Sequence, residues 1–196
     1  MVAASALTLS VTGCGECLDC GGFGVVLPRN RILALGRADA TAPPPGSTVV
    51  AVKNSQTRTI HITHSDSTQT TFLDLTFPAG SMVQNGNLLV CDTCTVSVAI
   101  TPTAGVYGFT LGPPGLVFRS SSTPTVTVSY GKYADFSVRD SSTLYPTQQA
   151  FDQALALWYE ATPGMWTPTR NSGHSGSAMV SAAIDAPGAH LLAAFK

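Results

Sequence analysis

In Phe72-Leu73-Asp74-Leu75-Thr76-Phe77-Pro78-Ala79-Gly80 apolar and polar residues alternate and then meet a proline and a glycine. Leu73, Leu75 and Phe77 fall on one side and Asp74 and Thr76 on the other, a period of two that marks a strand with one buried face. Pro78 ends ladder pairing and Gly80 permits the turn. The pattern returns downstream. Val96, Val98 and Ile100 share a face in Thr95-Val96-Ser97-Val98-Ala99-Ile100, as do Val126, Val128 and Tyr130 in Pro124-Thr125-Val126-Thr127-Val128-Ser129-Tyr130. Between them lies Gly112-Pro113-Pro114-Gly115-Leu116-Val117-Phe118, a turn running into a further strand. Alternating strands separated by Pro/Gly turns predict an all-β protein, an antiparallel β-sandwich.

Composition supports this class. The chain has 196 residues, 44% hydrophobic and only 11% charged, with a net charge of −1. Apolar content suffices for a core, while charge falls well below the roughly 25% usual in soluble domains. Ser, Thr, Gly and Pro fill the difference and favour strands and turns over helices. With no basic patch to neutralise phosphates, nucleic acid is not an expected partner. No apolar run approaches the roughly 20 residues of a membrane helix.

Residues 1–22 read as an arm. Ala3 to Val11 is apolar and rich in small residues, and Val11-Thr12-Gly13-Cys14 resembles the lipobox of bacterial lipoproteins, which makes Cys14 the expected lipidation site and the membrane a possible anchor. No Lys or Arg precedes the apolar run, as a signal peptide requires, so a start further upstream is one reading and a short N-terminal strand or disordered arm the other. An extracytoplasmic location, in the bacterial cell envelope or secreted, follows from the lipobox reading.

Cysteines carry the sharpest ambiguity. Cys17 and Cys20 stand at x2 spacing, as do Cys91 and Cys94 far along the chain. Four thiolates in two such pairs make a zinc-ribbon count. Exported proteins use cysteines mainly for disulfides, and with Cys14 lipidated an even number remains. Disulfides therefore rank first, zinc second and free thiols third, with no other cofactor expected. Four cysteines allow three pairings, among them a local Cys91–Cys94 bond and a staple from the arm to the sandwich.

Residues 23–47 form a looser segment ending in the stiff Ala42-Pro43-Pro44-Pro45-Gly46. Residues 48–135 are the expected sandwich, opening with Thr48-Val49-Val50-Ala51-Val52 and Thr59-Ile60-His61-Ile62-Thr63-His64. His61 and His64 are three apart, so on a strand they point to opposite faces and do not chelate; a surface or strand-end placement is expected. Residues 136–196 are the expected small β-hairpin module. In it Trp158 and Trp166 seal the base of a hairpin turning at Ala161-Thr162-Pro163-Gly164.

In order, Phe-Pro-Ala-Gly, an alternating strand, Tyr-Gly-Phe, Gly-Pro-Pro-Gly-Leu-Val-Phe and Pro-Thr-Val-Thr-Val-Ser-Tyr resemble the ZU-five domain over about residues 48–133. The family's motif positions fall on Pro78, Gly80, Gly112, Pro113, Gly115, Phe118 and Tyr130. The tail, with Leu155, Leu157, Trp158, Tyr159, Glu160, Ala161, Thr162, Gly164, Trp166 and Pro168, is similar to the segment following such domains in bacterial proteins. The resemblance implies a β-sandwich interaction module, a surface or lipoprotein type of protein and no catalysis. Some relatives cleave themselves at a His-Phe-Ser step; here His190-Leu191-Leu192 lacks the serine nucleophile, so that chemistry is not implied.

No catalytic set emerges from the residues. Ser172-Gly173-His174-Ser175-Gly176-Ser177 is not G-x-S-x-G and reads as a turn. Asp74 and Asp135 have no evident partner for paired-carboxylate work, and Gly112-Pro113-Pro114-Gly115 has no phosphate-binding Lys. A non-enzymatic protein contacting an unknown protein partner, with no small-molecule substrate evident, is the resulting expectation. A metal- or carbohydrate-binding module using the Cys-x2-Cys pairs is the alternative.

Overall fold

A computed structural model describes residues 24–38 and 42–196. Among these residues strand accounts for 51% and helix for 8%, an all-β protein. Short strands β1 (Leu27–Pro28), β2 (Ile32–Ala34) and β3 (Gly36–Arg37) come first. They are followed by β4 (Thr48–Lys53), β5 (Arg58–Thr63), β6 (Thr71–Phe77) and the hairpin of β7 (Met82–Asn85) with β8 (Leu88–Leu89). Next come β9 (Thr95–Pro102), β10 (Gly108–Gly112), β11 (Leu116–Phe118), β12 (Thr125–Ser129) and β13 (Ala134–Asp135). After helix α1 (Gln148–Gln153) stand β14 (Ala156–Thr162), β15 (Met165–Pro168), β16 (Gly173–Gly176), β17 (Met179–Ala183) and β18 (Gly188–Phe195).

Two antiparallel sheets form the sandwich. The long sheet runs β1-β15-β14-β18-β10-β9-β4, with β2 on β18 as its eighth strand; the facing sheet runs β16-β17-β12-β6-β5. Alternation fills the space between them. Val96, Val98, Ile100, Phe109, Leu111, Leu157 and Leu192 come from the long sheet, and Leu73, Leu75, Phe77, Val126, Val128 and Val180 from the other, in one buried cluster. Each such side chain contributes about 1.5–3 kcal/mol by leaving water.

The expected hairpin is present as β14 and β15, turning at Gly164 (φ 78°). Its segment also supplies β18 to β10 and β17 to β12, so residues 136–196 share both sheets with residues 48–135. β18 lies between β14 on one side and β10 and β2 on the other, so without it the long sheet divides. On the outer face of that sheet Trp158, Trp166, Ile32, Ala34, Leu191 and Ala193 form a second buried cluster. From the looser N-terminal segment Ile32, Ala34 and Leu27 serve this face, Leu27 registered on Trp166, while Leu33 and Leu35 enter the core between the sheets. Trp158 Nε1 donates to the Ala193 carbonyl at 3.0 Å, which satisfies the one polar atom of a ring that is 1% exposed.

Two expectations change. Residues 173–176 form β16 instead of a turn, since Gly173 and His174 pair with Ser181 and Val180; small residues are tolerated on this edge strand because no core side chain is needed there. His64 lies at the strand end as expected, just past β5, but is buried there at 1% exposed and is not at the surface. It continues the inward face of Ile60 and Ile62, opposite His61, and its ring packs edge-on against Phe72 at 5.6 Å.

Candidate functional site

The family-motif residues build turns and packing. Ser81 N–H donates to the Pro78 carbonyl, and Gly80 takes φ 71° and donates to the Asn54 carbonyl at 2.6 Å. Phe118 packs against Phe77 at 6.2 Å. Gly112 and Pro113 are joined by a cis peptide. Gly115 meets the β7–β8 turn so closely that a Cβ would lie 2.6 Å from Gly86 N, while Gly86 N–H donates to the Gly115 carbonyl at 2.9 Å. Tyr130, 1% exposed, donates its hydroxyl to Asp152 Oδ1 at 2.8 Å, and burial first, then this carboxylate, pushes its phenol upward.

Cys91 and Cys94 are joined by a disulfide, with Cα atoms 5.0 Å apart, across a turn in which Cys94 N–H donates to the Cys91 carbonyl. This is the local pairing among the three, and it withholds both sulfurs from metal ligation. Cys14, Cys17 and Cys20 lie outside the described residues. Asn54, 2% exposed, anchors the turn to the body of the protein. Its side chain donates to the Met82 carbonyl at 2.9 Å and accepts from Met82 N–H, and its backbone N–H donates to the Cys94 carbonyl. The hairpin so held presents Leu88 and Leu89, which are 75% and 86% exposed. Sequence reading located the cysteines but not the clamp, because a lone Asn carries no periodic signal.

Asp66 organises a second centre. It accepts from Thr70 N–H and Thr70 Oγ1, from Thr68 Oγ1, from Lys132 Nζ at 2.9 Å and from Tyr133 OH at 2.9 Å. The Thr70 hydroxyl first, then the Lys132 and Thr70 backbone donors, hold its carboxyl far below the usual carboxylate range. Asp66, Thr68 and Thr70 are legible as a polar turn; Lys132 and Tyr133, more than 60 residues away, are not. Beside this centre, His64 Nδ1–H donates to the Pro43 carbonyl at 2.8 Å, and burial holds its imidazole toward the neutral form. That bond fixes the tautomer, so Nε2 carries the lone pair.

From this centre a groove runs past Gly131. Three adjoining cavities of about 290, 470 and 450 Å³ share Gly131. The first is lined by His64, Tyr107, Ser129 and Lys132, the next by Tyr130, Gln149 and Asp152, the last by Asp135, Arg139 and Asp140. Ser177 and Ala178 join the first two, and Phe136 and Gln148 the last two.

The remaining histidines are separate. His61 is exposed and bonds Asp74 at 2.7 Å. His174 Nε2 donates to the Asp152 carbonyl at 2.8 Å. His190 Nδ1–H donates to the Gly188 carbonyl at 3.0 Å, its ring stacks on Phe109 at 5.0 Å, and its buried Nε2 meets no hydrogen-bond partner among the described residues. Among the described residues no three His, Cys, Asp or Glu side chains are placed to hold one metal ion.

Comparison of the chain with protein-family models, curated proteins and solved structures finds no match.

Proposed function

We propose that this chain is a non-enzymatic interaction module of an exported or lipid-anchored envelope protein. The observation that carries the reading is the Cys91–Cys94 disulfide on a turn whose hairpin displays Leu88 and Leu89. Disulfides persist in oxidising compartments. A braced pair of exposed leucines is an apolar contact already fixed in shape, so binding through it forfeits little ordering entropy. The polar centres of the sandwich support a scaffold: Asp66 and Tyr130 spend their hydrogen bonds on holding loops together. The ZU-five resemblance points the same way.

One preparation of intact native cells tests both halves. With thiols blocked at lysis, Cys91 and Cys94 are expected to take up alkylating agent only after a reductant. Labelling without reductant, or released by a chelator, defeats the export reading and favours free thiols or zinc. A photocrosslinking side chain at Leu89 is expected to give one defined protein adduct, absent when the same group replaces His61. No adduct at Leu89, or equal adducts at both positions, defeats the contact reading.

A further inference from the structure

We propose that the groove past Gly131 is a binding site for a neutral linear oligosaccharide. The site shares no residue with the Leu88–Leu89 hairpin, and the proposal depends on neither export nor a protein partner.

Shape is the first support. Three cavities in succession, of about 290, 470 and 450 Å³, make an elongated groove suited to a chain of repeating units rather than one compact ligand. Its floor is low, and more apolar than polar through the first two cavities, while the third is mainly polar. Gly131 contributes no side chain, and a Cβ there would stand 3.1 Å from that of Ala178. Phe136 is fixed beside them by edge contacts to Tyr130 and Phe151 at 6.4 and 6.3 Å. An apolar floor with an aromatic ring accepts the C–H face of a pyranose, while the rim meets its hydroxyls.

The polar groups select the ligand class. His64 lines the groove; its Nδ1–H is committed to the Pro43 carbonyl, which leaves Nε2 as an acceptor. A sugar hydroxyl can donate to it. Ser129, Ser177 and Gln148 both donate and accept, which matches the dual character of hydroxyl groups. Two cations, Lys132 and Arg139, are offset by Asp135, Asp140 and Asp152, so the groove does not suit a polyanion.

An extended peptide is the competing ligand, and the backbone disfavours it. Peptides in grooves commonly add a strand to a free sheet edge. Of the strands at this groove, β6, β12 and β17 are each paired on both sides, and β13, paired with β3 alone, offers an edge of only two residues, too short to seat a peptide strand. Recognition therefore falls to side chains.

Titration calorimetry of the full chain with cellohexaose, chitohexaose and maltohexaose tests the proposal, with a heparin octasaccharide and a Gly/Ser decapeptide as comparators. At least one neutral hexasaccharide is expected to bind with Kd below about 1 mM. Ser177→Trp, which fills the shared part of the groove, and Gln148→Ala, at an exposed rim position, are each expected to weaken it about tenfold or more with Tm unchanged. The proposal is overturned if none of the three sugars binds, if both variants bind as the parent does, or if heparin or the peptide binds more tightly than every neutral sugar.

Discussion

Asp66, at the surface with its side chain screened to 7% exposure, and His190, buried at 1% exposure, meet the loss of water in opposite ways. Around Asp66 the fold gathers five donor contacts from four residues, and the carboxylate keeps its charge. Around His190 it supplies one acceptor and a stacked ring, and the imidazole sheds its proton, its pKa lowered to about 4 chiefly by burial against the opposing pull of the Gly188 carbonyl. A charge screened at the surface is retained where donors converge, and a fully buried group without them sheds its charge. The first arrangement draws Lys132 and Tyr133 onto a turn made by residues 66–70 and so shapes one end of the groove. The second joins β18 to the core without any partner for Nε2 among the described residues.

The contrast can be broken most forcefully at Asp66. Asp66→Asn keeps the volume but removes the charge and aims an amide N–H at groups that already donate. Its urea midpoint is expected to fall further than that of any other variant discussed here, and a parent-like midpoint would show that the convergence of donors is incidental.

At His190 the contrast shows in pH. The unfolded imidazole titrates near 6.5 and the folded one near 4. Between these values the unfolded chain binds a proton that the native state refuses, so stability is full above pH 6.5 and drains as pH falls. The loss attributable to His190 reaches about 3 kcal/mol at pH 4. His190→Phe retains a ring against Phe109 and is expected to flatten more than half of the decline in unfolding free energy between pH 7 and 5, leaving a smaller slope from His64, also held neutral by burial. An undiminished slope would place the acid sensitivity elsewhere. The smallest effect belongs to His61, whose side chain and that of its partner Asp74 are 69% and 41% exposed. His61→Ala is expected to shift stability by no more than about 0.5 kcal/mol in denaturant titration, since an exposed pair is already solvated. A larger change would mean that exposure is not what separates the three centres.

Strands were readable in the sequence because alternation is local. Leu73, Leu75 and Phe77 declare their face within seven residues, and their burial at 0% follows. Helix α1, six residues long, offers too few positions for a 3.6-residue period to show. The sharing of both sheets by residues 136–196 was not legible, because which strand edge β18 or β17 joins is a long-range choice that alternation leaves open. The site behaved likewise. Cys91 and Cys94 could be read as a pair from their spacing, whereas the groove is assembled from His64, Gly131, Gln148, Asp152 and Ser177, each unremarkable in its own neighbourhood. The alternation that buries Ile60 and Ile62 also turns His64 inward, so its burial is legible in the strand's own period.

The position of β18 sets a schedule for folding. It follows β2, β10 and β14 in the chain, yet it is the strand that joins them. Until it docks, β14 with β15 and β10 with β9 and β4 are separate ribbons, each with an unsatisfied edge and an apolar face. Contacts so distant along the chain form slowly. The long sheet therefore closes late, in a step that zips β14 and β10 together at once, and the unpaired ribbons beforehand are the interval in which a chaperone or a neighbouring chain finds something to hold.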